Sequence, residues 1–205
     1  MQLFLARHGE TDWNAEHRLQ GQANRPLTDL GLAQAEALRH LLVRRPIRAI
    51  YASPLQRTLA TAAPLAAALG LEVQPREAML EIDYGILEGH TKHSVLGTEL
   101  EELWMARKQN PLAFDAPGAE TYEILCDRVR PFAREILERH AEETIAVIGH
   151  RASNRALLAL LLERPLTEVV KLKQKNADVL EICPQGDPEL QTHRTVDVTK
   201  TGGNS

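Results

Sequence analysis

The residues best suited to chemistry lie at two points far apart in the chain. Near the amino end, Leu5-Ala6 leads into Arg7-His8-Gly9-Glu10-Thr11. An arginine can grip a phosphate oxygen through its planar fork of donors. A neutral imidazole beside it can attack phosphorus and carry the phosphoryl group as a phosphohistidine. Alone, an Arg-His-Gly triplet describes an ordinary loop at a strand end equally well. Far downstream, the apolar run Thr144–Ile148 is followed by Gly149-His150. A histidine there can serve a site or simply be a satisfied polar residue.

Other reactive types carry weaker patterns. His90 and His93 share an i,i+3 spacing, but no further ligands accompany them, so no metal is expected. Trp104 among its leucines reads as packing. Cys126 and Cys183 read as inert thiols. Lys171, Lys173 and Lys175 alternate with Leu172 and Gln174 and read as a solvated face.

The elements that must position the two histidines alternate in type. Leu3–Ala6 reads as a buried strand. Thr28 or Asp29 caps a predicted helix with apolar positions Leu32, Ala35, Leu38, Leu41 and Leu42. Ile47–Ala52 reads as a second strand, and Ser53-Pro54 as a cap and first-turn proline. That helix should run through Arg57 to Leu69, stop at Gly70, and be disturbed at Pro64. A third strand is expected at Leu71–Gln74, with helices near 98–108 and 121–140. Thr144–Ile148 gives the clearest buried strand, followed by an apolar helix around Ala156–Leu162. Two late strands, Val179–Cys183 and Leu190–Val196, flank a turn at Pro184–Pro188. The alternation predicts a three-layer α/β/α sandwich on a mainly parallel sheet. Ligands in such sheets bind beyond the carboxyl ends of strands. His8 and His150 each follow such an end, which places both at one rim.

The 205 residues suggest a single domain over 1–200, with 201–205 (TGGNS) as a flexible tail. Hydrophobic residues at 43% and charged residues at 25% suit a folded globular chain. A net charge of −4 argues against a nucleic-acid-coating protein. No apolar run is long enough to span a bilayer. The amino end lacks a basic n-region, and two cysteines are too few for a disulfide scaffold. The expected address is therefore the reducing cytoplasm.

Further residues fall into an ordered series. After Arg7-His8-Gly9-Glu10-Thr11 come Trp13-Asn14, Gln20-Gly21, Pro26-Leu27-Thr28, Leu30-Gly31 and Gln34-Ala35. Then follow Ser53-Pro54-Leu55, Arg57-Thr58, Glu81, Gly85, Glu88-Gly89 and Gly149-His150. Over about residues 1–165 this series resembles the histidine phosphatase superfamily, in the branch of phosphoglycerate mutases, fructose-2,6-bisphosphatases and broad-specificity phosphatases. The resemblance implies that fold and a phosphomonoesterase acting on a small phosphorylated metabolite. It implies His8 as nucleophile, Glu81 as general acid and then base, and Arg7, Arg57 and His150 lining the phosphate pocket. Asn14, Gln20, Gly21 and Tyr84 would face the substrate. It implies no metal or organic cofactor, and dimers are common in the family.

Physical chemistry makes demands on such a set. Charge spreads over the phosphoryl oxygens in the transition state, so preorganised cations are the main device. His8 must be neutral to attack, whereas a charged His150 would strengthen the pocket, so their pKa values are expected to be pushed apart. Glu81 must carry a proton when substrate arrives.

The sequence departs from the family at two motifs. Glycine usually follows the second histidine, and here the residue is Arg151, which either faces solvent or contacts the substrate's phosphate or a second anionic group. The Pro-Gly-Gly-Glu-Ser signature is altered to Pro117-Gly118-Ala119-Glu120-Thr121. The short stretch from Glu81 to Glu120 favours hydrolysis over transfer to another hydroxyl. Tyr84, Gly85, Gly89, Lys92 and Arg107-Lys108 nevertheless match the mutase pattern. A non-catalytic binding module on the same fold is the third reading.

Overall fold

The computed structural model describes residues 1–183 and 190–193. The 201–205 tail and the 184–188 turn lie outside the described residues, as does the end of the last predicted strand. In chain order the elements are β1 (Gln2–Arg7), α1 (Asp12–Ala15), α2 (Asp29–Leu42), β2 (Ile47–Ala52), α3 (Gln56–Leu69) and β3 (Val73–Pro75). There follow α4 (Lys92–Val95), α5 (Glu101–Gln109), α6 (Tyr122–Arg139), β4 (Thr144–Gly149), α7 (Arg151–Leu161), α8 (Leu166–Val169), β5 (Val179–Ile182) and β6 (Leu190–His193).

The sheet runs β3-β2-β4-β1-β5-β6. β1 and β2 both pair parallel with β4, and β3 with β2, while β5 and β6 run antiparallel at the other edge. Two faces are buried, as the period of a strand requires. Leu3 and Leu5 point into one core with Tyr51, Ile145, Val147 and residues of α6 and α7. Phe4 and Ala6 point into the other with Ile50, Ile148 and residues of α2 and α3. The three-layer α/β/α sandwich is therefore as expected. A third cluster of Leu87, Val95, Trp104, Phe114 and Ala116 closes the segment that precedes α6, and it accounts for Trp104 as packing.

Several boundaries differ from the sequence-based expectation. Helix α3 starts at Gln56 with Leu55 as its cap residue, so Ser53-Pro54 precedes the helix instead of opening it. Ser53 extends the end of β2 alongside β4, its amide donating to Ile148 O at 3.1 Å. Pro64 does not break α3. It lies on a half-buried position beside Ala62, Leu65 and Ala66, whose burial holds the turn together despite one missing amide. Leu32 is 52% exposed and is not part of the core face of α2. The third strand starts two residues later than predicted, because Leu71 still closes the αL cap of Gly70 through a bond from its amide to Ala66 O. Among the described residues no helix is long and apolar enough to cross a membrane.

Candidate active site

The register of two strands builds the centre. Arg7 on β1 lies opposite Gly149 on β4, so the residues that follow, His8 and His150, leave the sheet side by side. The His8 amide donates to Gly149 O at 3.1 Å, and the two imidazoles stand 5.2 Å apart, tilted by 60°. Both rings are buried, at 2% and 0% exposure. The loop after β1 packs against the first turn of α2 so closely that a Cβ on Gly31 would lie 2.1 Å from Glu10 O. Only glycine fits there, which explains Leu30-Gly31 in the sequence series.

Hydrogen bonds fix the state of each ring. His8 Nδ1 lies 2.7 Å from Gly9 O. A carbonyl only accepts, so Nδ1 carries the proton and Nε2 keeps its lone pair. Asn176 reinforces this geometry, its Nδ2 donating to His8 O at 3.1 Å, Gly9 O at 3.2 Å and Asn14 Oδ1 at 2.9 Å. At His150 the order is reversed. Arg57 Nε donates to His150 Nδ1 at 3.2 Å, so the proton sits on Nε2. That Nε2 is buried without a partner among the described residues, as are Gln20 Nε2 and Arg7 Nε. All three are donors.

The expectation of a charged His150 is corrected by this geometry. A ring that accepts at Nδ1 and donates at Nε2 is neutral. Burial, and then Arg57, His8 and Arg7, hold its pKa well below the ordinary imidazole value. Burial, followed by Arg7 and Arg57, does the same to His8. The two pKa values move in the same direction instead of apart. Among the described residues, the positive charge acting on the two rings comes from arginines. Burial draws the Arg7 guanidinium down to about 9, with Arg151 adding to the effect, and burial draws Arg57 down to about 10. Both remain charged at neutral pH.

Arg57 ties the centre to the loop after α1. Its NH1 donates to Ala23 O and its NH2 to Gly21 O, each at 2.7 Å. Gly21, at φ +47°, therefore turns its carbonyl to Arg57, and a Cβ there would strike Glu88. Its carbonyl acts as a strut for Arg57. Neighbouring Gln20 accepts from the Thr11 hydroxyl at 3.2 Å and keeps its amide nitrogen free. Asn14 spends its Oδ1 on the Thr11 amide and Asn176.

Glu81 sits on the amino end of α7. Its Oε1 accepts from the amides of Ile82 (3.0 Å), Ala152 (3.0 Å) and Ser153 (3.4 Å), and its Oε2 from Arg151 at 3.1 Å. The helix terminus thus fixes the carboxyl group, and Oε2, with a single partner, is the oxygen free to hold a proton. The loop that delivers Glu81 is clamped by a residue the sequence reading passed over. Arg128 on α6 grips Glu120 with two bonds of 3.0 and 2.8 Å, and its NH1 donates to the carbonyls of Glu77, Ala78 and Leu80. Gln174 was missed as well. It receives Arg7 NH1 on its carbonyl at 3.1 Å and bonds Leu5 O, Asp178 O and Asn154 through its side chain. Tyr84 lies near Glu81 and under the Arg107 guanidinium, 5.4 Å from its ring. Burial, with Glu81 next, raises its pKa. The Arg151 side chain is exposed.

The arrangement offers one buried nucleophilic nitrogen, two guanidiniums, neutral donors and one carboxyl group. The family model of the histidine phosphatase superfamily (branch 1) matches residues 3–195. The chain belongs to the histidine phosphatase superfamily. It is 29% identical to phosphoserine phosphatase 1 of Hydrogenobacter thermophilus, covering 96% of this chain and 100% of that one. It is 33% identical to a probable phosphoglycerate mutase of Salmonella choleraesuis, over 89% and 84% of the two chains. Among solved structures it resembles a phosphoserine phosphatase of Entamoeba histolytica in complex with 3-phosphoglyceric acid, with a TM-score of 0.75 and 28% identity over 95% and 98%. In this histidine phosphatase neither His90 nor His93 is buried. His90 Nδ1 faces Ser94 at 3.2 Å, and no group of three metal-ligating side chains occurs among the described residues.

Proposed function

We propose that this histidine phosphatase hydrolyses small phosphomonoesters through a phosphohistidine on His8. The observation that carries the reading is the bond from His8 Nδ1 to Gly9 O, which leaves Nε2 as a buried, unprotonated nucleophile beside His150. The Nε2 lone pair forms an N–P bond as the ester P–O bond breaks. The proton on Glu81 Oε2 passes to the departing oxygen. Water then attacks phosphorus and yields its proton to Glu81, and the N–P electron pair returns to His8 as inorganic phosphate leaves. Arg7 and Arg57 face the phosphoryl oxygens with their charge, and His150 Nε2–H and Gln20 Nε2–H supply neutral donors.

Turnover of p-nitrophenyl phosphate across about pH 5–8, the window in which an imidazole ordinarily titrates, tests the reading. The expected result is hydrolysis unaffected by a chelator, with an acid-labile phosphoenzyme in the native protein and none in His8→Ala. No turnover, or full activity of His8→Ala, refutes it. A second reading, phosphoryl transfer to another hydroxyl, draws on the likeness to the mutase-named relative. Single-turnover transfer from phosphoenzyme to 3-phosphoglycerate outrunning release of phosphate would establish it.

A further inference from the structure

The charges around the centre exceed what one phosphoryl group needs. Arg7 and Arg57 together match a phosphoryl dianion. A third guanidinium, Arg151, follows His150 directly and opens α7. Its amide is 3.1 Å from Glu81 Oε2, so its root lies at the acid itself. Its side chain is exposed and makes no hydrogen bond or ion pair among the described residues. Its field reaches inward, lowering Arg7 and His8 and touching Tyr84 and Tyr122. The carboxylate beside it offers no lasting compensation. In the proposed first step Glu81 must carry a proton, and at that moment the charge next to Arg151 is gone.

We infer that Arg151 is a specificity residue that binds a second anion on the substrate, a carboxylate close to the phosphate. The inference rests on the phosphatase reading above and deepens it. The carboxylate that meets the Arg151 amide, Glu81, is engaged by four backbone amides, so its position is fixed and it does not swing to pair with the Arg151 guanidinium. A planar fork at the rim suits a carboxylate, which it can bind with two parallel bonds. A substrate with phosphate and carboxylate a few bonds apart would place one on Arg7 and Arg57 and the other on Arg151.

Two matched pairs of compounds isolate the carboxylate. O-phosphoserine differs from O-phosphoethanolamine only by that group, and 3-phosphoglycerate has it where glycerol 3-phosphate has a hydroxymethyl. Each is measured as a competitive inhibitor of p-nitrophenyl phosphate hydrolysis and by titration calorimetry. The native protein should bind the carboxylate member of at least one pair tenfold or more tighter than its partner. Arg151→Gln should cut that preference about tenfold, and Arg151→Lys should keep part of it. Equal binding within both pairs, or a preference that survives Arg151→Gln, overturns the inference. A protein that turns over no ester refutes the phosphatase reading instead, and calorimetry still reads the preference without turnover.

Discussion

Replacement of Glu81 by glutamine separates the acid from everything that holds it. In the native protein Oε1 takes three amides and Oε2 takes the Arg151 amide. A glutamine can keep its oxygen on the three-amide side. Its NH2 then faces the Arg151 N–H, donor against donor. The structural cost is one hydrogen bond to a charged group, about 1.5–3 kcal/mol, plus loss of a negative charge at a helix start, about 0.3–1 kcal/mol. The chemical cost differs. General acid help is worth about 10²–10⁴-fold, or roughly 2.7–5.5 kcal/mol of barrier. That loss depends on the leaving group. Glycerol 3-phosphate expels an alkoxide that needs the proton, and its kcat/KM should fall by about 10²–10⁴-fold. p-Nitrophenolate leaves unprotonated, so its kcat/KM should fall far less. Its kcat should still drop, because water then lacks a base for the second step. Rapid mixing should show a burst of p-nitrophenol near one equivalent per chain, followed by slow turnover. Thermal unfolding reads the structural cost separately. Equal losses on both esters, with no burst, would show that Glu81 supports the helix and does not move the proton.

Two further outcomes follow from buried groups. His8 and His150 are both held well below their ordinary pKa, mainly by burial. The unfolded chain therefore binds more protons than the folded one below about pH 6.5, the ordinary imidazole value. Stability should be fully present above that value and fall as pH drops below it, by up to about 1.4 kcal/mol per pH unit for each ring. Urea unfolding at stepped pH should show this slope, and His150→Asn should reduce it; a slope unchanged by that substitution would refute the assignment. Arg128→Ala should destabilise the fold by about 3–5 kcal/mol, since it strands the nearly buried Glu120 carboxylate. Its effect and that of Glu120→Ala should be strongly non-additive in a double-mutant cycle, and additive effects would show that the clamp does not act as a unit.

Much of this was legible because strands announce their ends. Leu3–Ala6 and Thr144–Ile148 are apolar on both faces, so both belong inside a sheet, and the histidine after each marks the same rim. Thr28 and Thr121 each cap the helix that the pattern predicted. Legibility failed where tertiary partners set the outcome. Pro64 is tolerated because its neighbours are buried. Gln174, 5% exposed, lies between exposed lysines, and the lysines dominated the pattern. Arg128 and Asn176 act through backbone carbonyls distant in sequence, and no local spacing marks that. The state of His150 is set by a tertiary partner in the same way. Charge complementarity with phosphate suggested a cation, whereas the actual state depends on which atom of Arg57 it meets.

That meeting has a consequence for how the pocket works. If His150 gained a proton, Nδ1–H would oppose Arg57 Nε–H across 3.2 Å. The guanidinium would have to withdraw, although its other two nitrogens are fixed to the carbonyls of Ala23 and Gly21. The loop bearing Gln20 would move with it. Neutrality of His150, the place of Arg57 and the shape of the 20–23 loop are therefore one condition. A neutral ring gives up about a unit of charge but keeps a directed N–H that needs no rearrangement when negative charge develops, which is where preorganised donors act most strongly. The cations do the attracting, and the imidazole does the aiming. In a buried pocket already crowded by Arg7 and Arg57, a third charge would also raise the cost of keeping His8 and the arginines in place. The arrangement thus puts permanent charge where burial can be tolerated by guanidinium and reserves both imidazoles for geometry.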